Sequence, residues 1–171
     1  MDESVLVAYA TKYGSTREVA QAVADSLKEQ GLSVSLQPVG AIRSLEGYRA
    51  VVLGVPLYIG HWPKAAQRFL VQNQQALEKR PVAVFALGPT NEVEADWQGA
   101  REQLDQEIAR LPWLKPAAVE LFGGRYDPAK LRFPDSVLAK LPASPLYQAP
   151  AVDARDWDAI RGWAADLVTK I

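Results

Sequence analysis

Sulfur and imidazole chemistry are almost absent from this sequence. It contains no cysteine and a single histidine, His61. The absence of cysteine excludes disulfides, thiolate metal sites and cysteine nucleophiles, and one histidine cannot build a multi-histidine metal centre within one chain. There is also no signal-like N-terminus and no apolar run of the roughly 18 residues that a membrane helix needs, so we expect a soluble, cytoplasmic protein. We therefore expect the chemistry to come largely from a bound cofactor.

An excess of charge of either sign is lacking as well. The chain carries 19 Lys and Arg against 20 Asp and Glu, a net charge of −1, and has no long basic run. Nucleic acid is therefore not an expected partner. What the chain does have is hydrophobic residues, 49% of its 171 positions. That content is enough for one compact domain with a sizeable core, so we predict a single domain over residues 1–171.

A loop with the composition of a phosphate site follows the first apolar segment. Residues 11–16 read Thr-Lys-Tyr-Gly-Ser-Thr and precede a helical pattern. A helix N-terminus offers unpaired N–H groups and a positive dipole end, and the hydroxyls of Thr11, Ser15 and Thr16 add donors. The spacing is neither that of an NTPase P-loop nor Gly-x-Gly-x-x-Gly. It resembles Thr-x-x-Gly-x-Thr, the phosphate loop of the flavodoxin fold, which holds the phosphate of FMN. On the residues alone, Ser15 or Thr16 could equally act as a helix cap.

Strand-like and helix-like segments alternate along the whole chain. Helices are predicted after the first strand as far as Gly31, from Pro63, over about 94–110, and near the C-terminus, where Asp153 followed by Asp156 predicts an N-cap. Five strands are predicted, at residues 4–10, 32–38, 50–55, 82–87 and 117–122. Helical crossovers imply an α/β fold, a doubly wound five-stranded parallel sheet with helices on both faces. A flavodoxin-like order, 2-1-3-4-5, places a crevice at the carboxyl ends of strands one, three and four.

The loop after the third predicted strand suits a flat aromatic ligand. An isoalloxazine ring favours aromatic faces and backbone donors, which makes Tyr58 and Trp62 candidates for stacking. Trp62 is equally well explained as a hydrophobic staple for the helix that begins at Pro63. Gly60 would let the backbone approach N5 and adopt a positive φ. The candidate cofactor residues of this loop are Pro56, Leu57, Tyr58, Ile59, Gly60 and Trp62.

Two further elements of the predicted crevice have competing interpretations. After the fourth strand, Gly88, Pro89, Thr90 and Asn91 offer backbone N–H groups and a hydroxyl to the far edge of the ring, or form an ordinary Gly-Pro turn. His61 is the predicted catalytic residue, because an imidazole can exchange protons near physiological pH. The alternative is that His61 is simply a partly exposed polar residue.

The interval between the fifth strand and the last helix is unusually long. A connection of about 30 residues, at about 123–152, is far longer than ordinary loops and indicates a functional segment. It contains many apolar and aromatic residues, so a purely solvated loop is not expected. It is also mildly basic: Arg125, Lys130, Arg132 and Lys140 stand against Asp127 and Asp135.

Together these motifs resemble a more specific family than flavodoxins in general. The phosphate loop, the Tyr-Ile-Gly-His loop and the Gly-Gly-Arg-Tyr-Asp-Pro segment at 123–128 are similar to the flavodoxin-domain family that includes menaquinone-dependent protoporphyrinogen IX dehydrogenases. The resemblance implies FMN, with Gly124 and Arg125 beside it, and a flavin that passes reducing equivalents to a quinone or similar acceptor. The phosphate ligands it implies are Thr11, Lys12, Tyr13, Gly14, Ser15 and Thr16.

The implied partners are a small redox substrate or quinone, or a redox protein, with at most a weak peripheral membrane contact through residues 123–152. A flavodoxin-type electron carrier without a substrate of its own is the alternative function. Such carriers are typically strongly acidic, which the near-neutral balance of this chain does not favour. A third interpretation, a binding module with a decayed flavin site, is disfavoured by the intact phosphate loop.

Overall fold

The computed structural model describes residues 4–57 and 61–171. Its centre is a five-stranded parallel sheet in the order β2-β1-β3-β4-β5, which confirms the predicted topology. The strands are β1 (Ser4–Tyr9), β2 (Val34–Pro38), β3 (Tyr48–Pro56), β4 (Val82–Leu87) and β5 (Ala118–Phe122). Each boundary lies within two residues of the predicted one, because apolar runs bounded by glycine, proline and polar residues mark buried strands clearly.

Helices cover both faces of the sheet and divide the core in two. Alternate residues of β1 point to opposite faces, so Val5 and Val7 pack in one layer while Leu6 and Ala8 pack in the other. Both faces are fully buried, which explains why the strand lacks polar alternation. The helices are α1 (Ser15–Glu29), α2 (Lys64–Gln72), α3 (Gln74–Leu77), α4 (Glu94–Ala109), α5 (Asp135–Leu138) and α6 (Trp157–Leu167).

The start of the last helix corrects one prediction. Asp156, and not Asp153, is the N-cap of α6: its side chain accepts a hydrogen bond from the Ala159 N–H at 3.0 Å. Asp153 instead ends β7 (Val152–Asp153), which pairs antiparallel with β6 (Arg125–Tyr126). The two aspartates are equally good caps by composition, and the β6–β7 pairing decides between them.

Residues 123–152, which we call the strap, leave the sheet at β5 and return to it before α6. The β6–β7 ribbon closes the base of the strap, and α5 lies within it. Many of its apolar side chains remain exposed, and Phe133 is 82% exposed. Within the described residues, no helix combines the length and apolar character needed to cross a membrane.

Candidate cofactor-binding site

A cleft of about 670 Å³ opens at the carboxyl edge of the sheet. Its walls come from the loop after β1, the ends of β3 and β4, and the strap. This is where ligands bind in doubly wound sheets, and the volume is that of a typical small-molecule site. The predicted cofactor residues that line it are Lys12, Tyr13, Ser15, Pro56, Leu57, Gly88, Gly124 and Arg125.

The loop after β1 begins α1 without a side-chain cap. Gly14 occupies the N-cap position with φ of 91°, a left-handed conformation that favours glycine. Its N–H donates to Thr11 Oγ1 at 2.9 Å, and no side chain caps the helix. Neither Ser15 nor Thr16 therefore caps the helix with its side chain. The first N–H groups of α1 have no partner within the helix, as at every helix start.

Thr16 gives the strongest structural evidence in this loop for an anion-binding site. Its side chain is fully buried, and its Oγ1 has no hydrogen-bond partner among the residues that the structure describes. A buried hydroxyl without a partner is costly, and native proteins almost always satisfy such groups. An anion at the start of α1 would accept from this hydroxyl and from the helix N–H groups together. The loop therefore fits a phosphate group by an observation independent of its sequence motif.

The loop after β3 divides into a part at the cleft and a part in the core. Pro56 and Leu57 line the cleft, and the Leu57 N–H donates to the Leu87 carbonyl at 2.9 Å. Trp62 is only 2% exposed and packs in the core with Ala66 and Phe69 of α2. This placement favours the staple interpretation of Trp62. Tyr58, Ile59 and Gly60 lie outside the described residues, so their predicted flavin contacts stay predictions.

His61 contacts α4 and is not part of the cleft lining. Its Nδ1 lies 3.2 Å from Glu107 Oε1 and 2.8 Å from Arg110 Nη1, and its side chain is 60% exposed. Glu107 is buried and also accepts from the Trp62 N–H at 3.4 Å. These contacts favour the interpretation of His61 as a partly exposed polar residue, and its catalytic role stays a prediction.

After β4, the chain forms a turn whose side chains serve α4. Asn91 Oδ1 accepts from the Val93 N–H at 2.9 Å, and Asn91 Nδ2 donates to Asp96 at 2.7 Å. Gly88 lines the cleft, whereas Pro89, Thr90 and Asn91 are not in its lining. The Pro89 carbonyl is instead used by the Gly124 N–H at 2.9 Å. This arrangement favours the ordinary-turn interpretation for these three residues.

Gly123 and Gly124 lie close to two other backbone segments, at Ala154 and Gly88. A Cβ on Gly124 would lie 2.5 Å from the Gly88 carbonyl oxygen, and one on Gly123 would overlap the carbonyl oxygen of Ala154. Both glycines are buried. The end of β5 can therefore approach the turn after β4 and the backbone at Ala154 only because these positions lack side chains.

The strap contributes a charged and apolar wall to the cleft. Arg125 lies 3.6 Å from Glu18 and 3.7 Å from Asp127, so its charge is compensated on both sides. Further along the strap, the apolar lining residues are Leu131, Leu138, Ala139, Pro145 and Leu146. A largely apolar wall with a few polar groups suits a flat aromatic ligand.

The strap also contacts the loop after β1 directly. Asp135 Oδ2 accepts from both Lys12 Nζ and Tyr13 Oη. The hydrogen bond from Lys12, with a second from Tyr13, lowers the pKa of the Asp135 carboxyl below its ordinary value. The same Asp135 contact raises the pKa of the Lys12 ammonium. Arg132 adds a hydrogen bond from Nη2 to the Lys12 carbonyl at 2.7 Å.

Arg155 is a structural residue that the sequence analysis missed. Its buried guanidinium donates to Asp153 Oδ1 at 2.8 Å, to Asp153 Oδ2 at 2.7 Å and to Glu18 Oε2 at 2.7 Å. It also lies 4.7 Å from the centre of the Trp157 ring. This network lowers the pKa of the Asp153 carboxyl, chiefly through the hydrogen bond from Arg155. Arg155 thus joins β7 to the first turn of α1. Its contact with Glu18 spans 137 positions in sequence, so no local motif could predict it.

We expect Arg155→Met to lower the free energy of unfolding by about 2 kcal/mol. Methionine keeps the apolar stem but removes the charge-assisted hydrogen bonds, and the half-exposed partners Asp153 and Glu18 can regain water, which keeps the loss below that of a fully buried pair. Thermal unfolding would then shift by roughly 4–8 °C. The matched control is Arg161→Met, which removes an exposed pair with Asp158 and should change little. Equal shifts in the two variants would contradict the role given to Arg155.

Comparison with known proteins identifies relatives at the level of family and fold. A family model described as "Flavodoxin domain" matches residues 6–146. Protoporphyrinogen IX dehydrogenase [quinone] of Escherichia coli K12 is 32% identical over 84 residues, which are 48% of this chain and 46% of that protein. The match thus spans about half the length of this curated relative.

Solved structures resemble the whole chain. The flavodoxin of Streptococcus pneumoniae TIGR4 aligns with a TM-score of 0.61 at 16% identity, covering 98% of this chain and 99% of that one. A short-chain flavodoxin associated with a PDU bacterial microcompartment aligns with a TM-score of 0.61 at 17% identity, covering 97% of each chain. At these identities the likeness concerns the fold.

Proposed function

The chain belongs to the flavodoxin domain family, and from that premise we propose that it is an FMN-dependent oxidoreductase. The observation that carries the proposal is the buried Thr16 hydroxyl at the start of α1, which has no partner among the described residues and directly follows Ser15, a residue that lines the cleft of about 670 Å³. A bound FMN would supply the redox chemistry, accepting and returning electrons through its isoalloxazine ring. The hydroxyls of Thr11, Ser15 and Thr16, with the N–H groups of α1, would hold the phosphate.

The remaining residues of the cleft would orient the ring and limit its access to water. Leu57, Gly88, Gly124 and Arg125 all line the cleft and would lie around the ring. The apolar side chains of the strap would cover the outer part of the cleft, which lowers the local polarity. A quinone or similar flat acceptor is the proposed partner in electron transfer, supported by the partial likeness to a protein named as a quinone-dependent dehydrogenase.

The exposed apolar side chains of the strap support a weak peripheral contact with a membrane. Phe133, Val137, Leu138 and Leu141 are exposed within the same segment. Arg132 and Lys140, which are also exposed, supply positive charge in this segment. Each basic residue near an anionic surface contributes about 1 kcal/mol, so two or three of them make a weak attachment. A quinone that dissolves in lipid would be reached from such a position.

A flavodoxin-type electron carrier without its own substrate is the second candidate. The whole-chain likeness to flavodoxins favours it, because those relatives share the fold from end to end. The balance of 20 acidic and 19 basic residues disfavours it, since it gives no strong field toward a basic partner. The two candidates differ in whether a small acceptor reacts with the reduced protein directly.

The first experiment is a titration of the cofactor-free protein with FMN, followed by flavin fluorescence. We expect quenching that saturates at one FMN per chain, because the ring enters an apolar cleft beside Tyr13 and Tyr126. The complex is then reduced under anaerobic conditions and mixed with a short-chain naphthoquinone. Rapid reoxidation would support the oxidoreductase, whereas reoxidation by a redox protein but not by the quinone would support the carrier. Absence of FMN binding would overturn both.

A further inference from the structure

The phosphate loop and the strap are held together by a small group of polar contacts. Asp135 accepts from Lys12 Nζ and Tyr13 Oη through the same carboxylate oxygen. Arg132 donates to the Lys12 carbonyl, and its guanidinium carbon lies 5.7 Å from the centre of the Tyr13 ring. We call these four residues the latch. Its members stand 119 or more positions apart in sequence across the two segments, so the latch is purely a product of the tertiary fold.

The latch lies beyond the β6–β7 ribbon, in a part of the strap where apolar side chains are exposed. The base of the strap is fixed by two paired residues on each side of the β6–β7 ribbon. Beyond it, Leu131 and Leu138 flank the latch in sequence and line the cleft. The exposed side chains of Phe133 and Val137 provide little burial to hold this part in place. The position of the apolar cleft wall therefore depends on the latch.

We propose that Lys12 and Tyr13 are positioning residues that hold the strap over the cleft, and that they do not bind the cofactor phosphate. This inference rests on the proposed binding of FMN and changes the roles that the family resemblance implies for these two residues. The Lys12 ammonium compensates the Asp135 carboxylate, so its charge is already used inside the protein. A second anion bound to Lys12 would have to approach that carboxylate closely, which is unfavourable.

Neutral donors elsewhere in the same loop remain for the phosphate. The Thr16 hydroxyl is buried without a partner, and the Thr11 oxygen accepts from Gly14 while its own hydrogen stays available to donate. Together with the N–H groups at the start of α1, these donors can hold a dianion without a cation. Attachment of the strap and binding of the phosphate are thus assigned to different side chains of the loop.

Comparison of FMN with riboflavin tests this division. Riboflavin has the same ring but no phosphate. If Lys12 holds the strap, Lys12→Met will weaken FMN and riboflavin by the same factor, about tenfold for the loss of charge-assisted hydrogen bonds. Asp135→Asn will produce the same loss for both ligands, and the double variant will be no worse than either single one. If Lys12 binds the phosphate, Lys12→Met will weaken FMN alone and Asp135→Asn will tighten it, which would overturn the proposal.

The latch has a second readout that requires no flavin. Trypsin can cleave within the strap after Lys130, Arg132 and Lys140. In the cofactor-free protein we expect Asp135→Asn to be cut there several times faster than the wild type, since release of the strap lets it unfold locally into the extended conformation that a protease binds. The matched control is Asp158→Asn, which loses an exposed ion pair on α6 and should leave strap cleavage unchanged.

Cleavage sites are assigned by mass spectrometry, so that strap cutting is separated from global unfolding. Equal strap cleavage in wild type and Asp135→Asn would overturn the latch. A wild-type protein that binds neither flavin would overturn the proposed function, while the proteolysis of the cofactor-free protein would still decide whether the latch holds the strap. The two proposals therefore fail by different measurements.

Discussion

Replacement of Thr16 by valine should weaken FMN binding about 10- to 100-fold and leave the cofactor-free protein as stable as before, or more stable by about 1 kcal/mol. The hydroxyl is buried without a partner, so the cofactor-free protein gains nothing from it and bears the cost of its lost hydration. A phosphate that accepts from this hydroxyl makes a charge-assisted hydrogen bond of roughly 1.5–3 kcal/mol. Valine has nearly the same shape, so the packing of α1 is kept.

The measurement pairs flavin titration with thermal unfolding of the cofactor-free protein. Thr16→Ser is the matched control, because it keeps the hydroxyl and loses only the methyl group. Riboflavin affinity should be the same in wild type and Thr16→Val, since riboflavin has no phosphate to lose. A variant that is destabilised without cofactor, or that loses riboflavin and FMN equally, would show that the hydroxyl serves the fold and not the phosphate.

Replacement of Gly123 by alanine should destabilise the protein by about 3 kcal/mol. The added Cβ would overlap the Ala154 carbonyl oxygen, and this atom belongs to backbone that is itself tied to the chain by the Ala154 N–H bond to the Gly124 carbonyl at 2.9 Å. Backbone cannot rotate away as a side chain can, so the chain around Ala154 must shift as a unit. Overpacking of this kind costs about 1–3 kcal/mol or more. Thermal unfolding should fall by roughly 6–12 °C.

Gly99→Ala is the control for this substitution. Gly99 lies within α4, and an added Cβ there meets nothing within 4 Å. Alanine is the better helix former by about 1 kcal/mol, so this variant should be slightly more stable than the wild type. The two glycine-to-alanine changes are thus expected to have opposite signs. A stable Gly123→Ala protein would mean that β5 does not need its close approach to the backbone at Ala154.

The order of the strands could be predicted because it follows from local patterns. β1, β3 and β4 are apolar runs that are almost fully buried, and each is followed by a segment with helical periodicity or a helix start signal. Short right-handed crossovers leave few ways to arrange five such units. The choice of Asp153 as a helix cap was wrong because its position depends on a distant contact. Asp153 pairs with Arg125 of β6, which lies 28 positions away in sequence.

The candidate site was only partly predictable. Pro56, Leu57 and Gly88 reach the cleft because residues that directly follow parallel strands must lie at the same edge of the sheet. Trp62 and Asn91 do not line it, since a residue further along the loop can turn toward the core or toward the next helix, and composition does not distinguish these outcomes. The predictions for Tyr58, Ile59 and Gly60 lie outside the described residues.

By itself, the sequence determined the α/β class and the order of the sheet, and it predicted a bound cofactor and the place of a phosphate loop, because hydrophobic periodicity and hydroxyl-rich helix starts act over a few residues. Only the tertiary structure decided that Asp135 meets Lys12 and Tyr13, that Arg155 joins β7 to α1, and that Thr16 is left buried without a partner. Each of these facts depends on how segments far apart in sequence come together, and the energy of such a contact exists only once the chain between them has folded.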